Sequence, residues 1–276
     1  MARLRIVIAG CLLLLAAVPH SYGQQLYIAN EPQKQLQLLD LTTAQLTVLY
    51  NIGAKPDDLV VNSQGQLIYS VPSLGTVSLF DPVAMTNTVL ATGLKFARDL
   101  IIEPGGTTML ISVCAKGMIV RYDFVTGTTT VLAKKLGKVD GLAYDPAGEL
   151  FAVARYNTIV QIDPVTGAVL KTLVLEPHQG VNGGDGMTYD SFTGQLWLSH
   201  GGAGKGLIAV PTDLSGFTFY QTGNIPSPDG IKSDGNGNLY IGAIHRVWVY
   251  NIPTDTITAS YVVKGADGIA LVPGTY

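Results

Sequence analysis

Cysteine is nearly missing from this sequence: Cys11 and Cys114 are the two thiols in 276 residues. So few cysteines build neither a disulfide framework nor a paired-cysteine metal site. Charge is thin as well, at 13% of residues with a small acidic excess. That argues against a nucleic-acid partner, whose phosphates ask for clustered Lys and Arg. Past the first two dozen residues no apolar run is long enough to span a bilayer. Gly-x-Ser-x-Gly and His-Glu-x-x-His do not occur, and no glycine run follows a strand and opens a helix as a phosphate loop does.

What is present in quantity is apolar residues, 47% of the chain, with 32 glycines and 14 prolines. This composition buries a large core and turns often, which fits an all-β protein. The opening stretch MARLRIVIAGCLLLLAAVPHSYG carries Arg3 and Arg5, then an apolar run, then small residues at Ser21 and Gly23. It reads as an export signal over residues 1–23, with a mature chain from Gln24 that is secreted or periplasmic. A lipoprotein reading of IAGC fits less well, because Cys11 precedes most of the apolar run. Loss of Arg3 and Arg5 leaves 15 basic against 20 acidic residues. The remaining Cys114, in MLISVCAKG, reads as a small buried hydrophobe.

One phrase recurs along the rest of the chain. PDGIKSDGNGNLYIGA from Pro228 has counterparts in PDDLVVNSQGQLIYS, VDGLAYDPAGELFAV and GDGMTYDSFTGQLWLS, a looser one in RDLIIEPGGTTMLIS, and a short one in ADGIALVPGTY. The copies begin at Asp57, Arg98, Asp140, Asp185, Asp229 and Asp267, at intervals of 41, 42, 45, 44 and 38 residues. A period of about forty residues filled with strand-like runs marks a β-propeller blade. A second repeat, including SLFDPVAMTNTVL, VRYDFVTGTTTVL and VQIDPVTGAVLKTL, runs out of phase and pairs two alternating segments about an Asp-rich turn. That is a hairpin pattern, so each unit holds four strands, A to D from the axis outward.

Between strands A and B, Asn62, Asp145, Asp190 and Asp234 can bond the next backbone amides, and Gly65, Gly148, Gly194 and Gly237 suit a left-handed turn residue. The last copy stops after strand A, and residues 24–51 hold three strands that would complete it. The chain from 24 to 276 is therefore expected to be one six-bladed propeller, its last blade closed by one carboxyl-side and three amino-side strands.

With that topology the six repeat-start residues ring one mouth of the channel. Two like charges about 4 Å apart cost about 4 kcal/mol at an effective dielectric near 20. Some of the five carboxylates must then be protonated, bonded to backbone, paired with Arg98, or bound to a cation. Oxygen ligands without thiolates favour Ca²⁺ or Mg²⁺, which would sit on Asp57, Asp140, Asp185, Asp229 and Asp267. The alternative is a structural staple, each Asp bonding the neighbouring blade. His178, His200 and His245 are all placed on the same rim, with Arg98, Arg155, Tyr156 and Asn182 beside them as candidate substrate contacts.

PDGIKSDGNGNLYIGA and VDGLAYDPAGELFAVARYNTIVQIDPVTG resemble blades of the senescence marker protein/gluconolactonase family and of NHL-repeat propellers. The resemblance implies a six-bladed propeller with a divalent cation at the channel mouth, held by Glu, Asn and Asp at strand starts, that helps open lactones. Asp229 falls on that family's Asp ligand, which may double as base. No Glu or Asn occupies a repeat start here, and Arg98 stands among the carboxylates. A more distant likeness is to the seven-bladed streptogramin lyase propellers, where His and Glu near the channel work with Mg²⁺. Two functions follow as expectations. One is a metal-dependent lactone or ester hydrolase with Asp229 and His200 as catalytic groups. The other is a non-catalytic propeller, a monomer, holding a small molecule, glycan or protein at its rim.

Overall fold

The computed structural model of the chain describes residues 24–155, 157–175, 185–200, 206–222 and 225–275. The leader-like segment 1–23 lies outside them. Among the described residues, strands assemble into six four-stranded antiparallel sheets, the expected six-bladed propeller. Blade one runs from Leu59–Val61 at the axis through Leu67–Val71 and Thr76–Asp81 to Thr86–Ala91 outside. The inner strands of blades two to six are Ala97–Ile102, Val139–Tyr144, Met187–Asp190, Pro228–Ser233 and Ala266–Leu271. No helix among the described residues is long and apolar enough to cross a membrane.

The apolar runs without polar alternation have a simple cause: the B strands are covered on both faces. In Leu150–Ala154, Leu150, Ala152 and Ala154 pack with residues of blade two, while Phe151 and Val153 pack with blade four. The core is accordingly six layers between neighbouring sheets rather than one central mass. Between blades four and five Trp197 is fully buried, its ring 4.9 Å from that of Tyr220 and its Nε1 donating to Thr193 Oγ1 at 3.1 Å. Truncating such an aromatic costs about 3–5 kcal/mol.

The turns carry the polar residues for the reasons their sequence suggests. Asn62 Oδ1 accepts the amides of Gln64 and Gln66 at 3.0 and 2.9 Å, and Gly65 has φ +77°. At the C-to-D turns Asp81, Asp123 and Asp163 each accept the amides two and three residues on, at 2.8 to 2.9 Å. These backbone bonds hold the three carboxyls below the usual range.

Blade six is closed from two distant segments. Ala266–Leu271 pairs with Gln25–Asn30, and Gln35–Asp40 and Leu46–Asn51 follow outward. Ile28 faces Ile269 and Leu26 faces Leu271 across the junction. Gln25 N–H donates to Thr275 Oγ1 at 3.2 Å just beyond it.

Candidate functional site

The inner strands reach the channel with a bulge at the recurring Asp-Gly. Val139 lies opposite Ala154 but Leu142 opposite Ala152, so Asp140 and Gly141 together occupy the place of one residue. The same slip separates Ala97 from Leu100 and Pro228 from Ile231. A bulge re-aims the side chain it carries. Here it brings Asp57, Asp140, Asp229 and Asp267 onto the wall of a narrow neck, with room for about one water molecule.

The residue after each Asp is constrained by crowding. A Cβ on Gly230 would lie 2.3 Å from Asp267 O, one on Gly186 2.7 Å from Asp229 O, and one on Gly141 2.5 Å from Asp185 O. Backbone cannot yield as a side chain can, so glycine is required where consecutive blades touch at the axis. Blades one and two depart from this with Asp58 and Asp99. Their carboxylates accept the backbone amide of the next blade: Asp58 Oδ2 that of Leu100 at 3.0 Å, Asp99 Oδ2 that of Leu142. In blades one and two the staple considered for the repeat-start carboxylates is thus made by the residue that follows them.

Around the ring, Arg98 stands between Asp57 and Asp140, its Nη1 3.9 and 3.8 Å from their Oδ2 atoms. Burial works against its charge, yet the two carboxylates push its pKa up. Asp140 Oδ2 is buried and accepts no hydrogen bond. Burial is the main cause of upward shifts across the ring, to about 7 for Asp57 and Asp267 and well above the usual range for Asp140 and Asp229. Mutual repulsion adds to this, and for Asp57 and Asp267 Arg98 opposes it. Asp185 is raised by burial and partly relieved by Arg98 and His200.

Deeper in the neck lies a group the sequence reading missed. Asp99 is pushed well up by burial, by the charge of Asp58 and by a side-chain hydrogen bond between the two carboxyls, while Lys232 pulls it down. Burial disfavours the Lys232 ammonium, but Asp58 and Asp99 raise its pKa. The signal was available column by column. Asp58 and Asp99 replace glycine, and Lys232 stands where other blades carry Val60, Ile101, Ala143, Thr188 and Ala270.

The other candidate residues scatter. His200 is the last residue of Gln195–His200, fully buried, edge-on to Phe219 at 6.0 Å and near enough to act on Asp185. His245 and Arg155 are exposed in B-to-C loops of blades five and three. Arg155 has φ 50° and donates its N–H to Lys138 O at 2.6 Å, and His245 O accepts Val263 N–H at 3.1 Å. These bonds join B-to-C and D-to-A connections, which confirms that both lie on the ring side. Tyr156, His178 and Asn182 lie outside the described residues. Cys114 is buried, as expected.

At its opposite end the same channel widens into an open cavity of about 380 Å³. Val61, Ile102, Tyr144, Tyr189 and Leu271 form much of its wall, and Lys232 lies at the boundary with the neck. Beside it, Glu103 accepts two bonds from Arg121, at 2.5 and 2.8 Å, and one from Tyr144 at 2.8 Å.

By sequence, no family model and no curated protein matches the chain. By structure, it is similar to a chain of a nidogen/laminin complex, with a TM-score of 0.77 at 15% identity over 92% of this chain and 100% of that one. Hydrazine synthase of Kuenenia stuttgartiensis gives 0.68 at 17% over 90% and 86%. Virginiamycin B lyase of Staphylococcus aureus gives 0.65 at 13% over 89% and 86%. These likenesses support an NHL-repeat-like propeller fold and carry no activity. No family match accompanies the gluconolactonase-like resemblance.

Proposed function

We propose that the chain is a ligand-binding propeller that captures a cationic group at its carboxylate mouth. The observation behind this reading is an imbalance. Arg98 lies within 4 Å of Asp57 and Asp140, its neighbours in the ring, while Asp185, Asp229 and Asp267 form the far arc, where no ion pair is made among the described residues. Burial, and then the charges of Asp57 and Asp267, raise Asp229 well above the carboxylate range. A cation entering there relieves that repulsion and releases protons as it binds. Among the described residues no three carboxylate, thiol or imidazole groups stand together as a metal cluster. The cationic group of this reading is the ammonium or guanidinium of an organic ligand, whose several N–H donors can serve more than one carboxylate.

Metal-assisted opening of a lactone or ester is the second reading, favoured by the position of Asp229 and the closeness of His200 to Asp185. It requires the ring carboxylates to move together around Ca²⁺ or Mg²⁺. Calorimetric titration with alkylammonium, alkylguanidinium, Ca²⁺ and Mg²⁺ tests both. Binding with proton uptake by the buffer, lost in Asp229→Asn, is the expected result for at least one of these probes. If none binds, the proposal fails. If only a divalent ion binds, the second reading replaces the first, and turnover of a lactone and ester panel then decides whether catalysis accompanies it.

A further inference from the structure

Three departures from the repeat converge on one point: Asp58, Asp99 and Lys232 meet in the neck. Lys232 also lines the wide cavity, where it is the single charged residue of the wall among the described residues. Blade architecture does not call for a lysine, since five blades fold around Val60, Ile101, Ala143, Thr188 or Ala270 in its place. Asp58 and Asp99 attract its ammonium from the neck side, but none of the ion pairs of the described residues uses it. An ammonium offers three donors. Three other polar groups of the wall are already committed: Ser233 Oγ donates to Asp190 Oδ1 at 2.5 Å, Tyr144 OH to Glu103 Oε1 at 2.8 Å, and Thr188 Oγ1 to Tyr189 O at 3.5 Å.

We propose that the wide mouth is a second binding site, independent of the carboxylate mouth, for a small amphipathic carboxylate whose head group sits on Lys232 and whose apolar body lies against Val61, Ile102 and Leu271. The cavity, about 380 Å³, falls in the range of pockets that enclose small ligands. Its make-up is close to that of such pockets, a wall more apolar than polar that carries Lys232 as a charged group. The sparer explanation is that Lys232 only neutralises Asp58 and Asp99. The two differ in what they predict for an added anion.

Octanoate and octanol, which share a body and differ in charge, are the probes, each titrated by calorimetry into the full chain. Octanoate should bind about tenfold more tightly than octanol, the low end of a charge-assisted hydrogen bond. Lys232→Arg should keep that preference, Lys232→Met should erase it, and Ile102→Trp, which fills the mouth, should abolish binding of both. Asp229→Asn should leave octanoate binding intact, which separates this site from the proposed cation site. No binding of octanoate to the wild type, equal affinity for acid and alcohol, or a preference that survives in Lys232→Met each overturns the proposal. Should Lys232→Met fail to fold, the wild-type acid-to-alcohol ratio together with Lys232→Arg and Ile102→Trp still decides it.

Discussion

The two ends of the channel are built by the same six strands and could hardly differ more. At the ring end a bulge in the inner strands turns charged residues inward, and neighbouring backbones come so close that Gly141, Gly186 and Gly230 have no room for a methyl group. At the far end the strands have diverged, larger side chains are admitted, and about 380 Å³ stays open. The contrast teaches that the propeller fixes shape tightly at the narrow end and leaves composition free at the wide one. Charge at the narrow mouth is strained by burial, whereas the wide mouth keeps one cation against apolar walls.

The steepest way to break this contrast is steric. Gly230→Ala sets a Cβ against Asp267 O, and should cost about 1–3 kcal/mol in urea denaturation. A neutral result would mean that the inner strands are not in contact there. Next comes pH. Asp57 and Asp267 titrate at about 7 in the folded chain and near 3.9 unfolded. Between those values the folded chain keeps protons that the unfolded chain has released, so stability falls as pH rises through the window from about 4 to about 7. Tm should therefore climb by a few degrees from about pH 7.5 to about pH 5, and the climb should flatten in Asp57→Asn/Asp267→Asn. A falling Tm over that interval in the wild type rules out the strained ring. The smallest effect belongs to the wide mouth, where Tyr189→Phe keeps the packing and should change stability by less than about 0.5 kcal/mol.

The blades, their hairpins and the closing of blade six could be read in the sequence because their signals are local. Alternation sets strand faces, Asn62 or Asp163 sets a turn, and a left-handed glycine such as Gly65 closes it. The ring of repeat-start residues was readable too, since a constant offset in each copy fixes one height along the axis. The neck was not. Asp58, Asp99 and Lys232 come from three blades at two different offsets, and their meeting depends on side chains crossing the axis, which no local pattern records. His200 was expected just beyond strand B, on the rim, yet it completes that strand and is buried beside Phe219. The wide cavity left no mark in the sequence at all, because it is a space between strand ends whose residues look like ordinary core.

The junction in blade six bears on how the molecule comes to exist. Until residues 266–271 have been synthesised, Gln25–Asn30 has no partner along its inner edge, although it is made more than two hundred residues earlier. Such long-range pairing is slow, and an unpaired edge invites other chains to add to it. Five blades can stand in place while the circle is still open, so the hazardous interval in the life of this protein lasts until residues 266–271 arrive to cover that waiting strand.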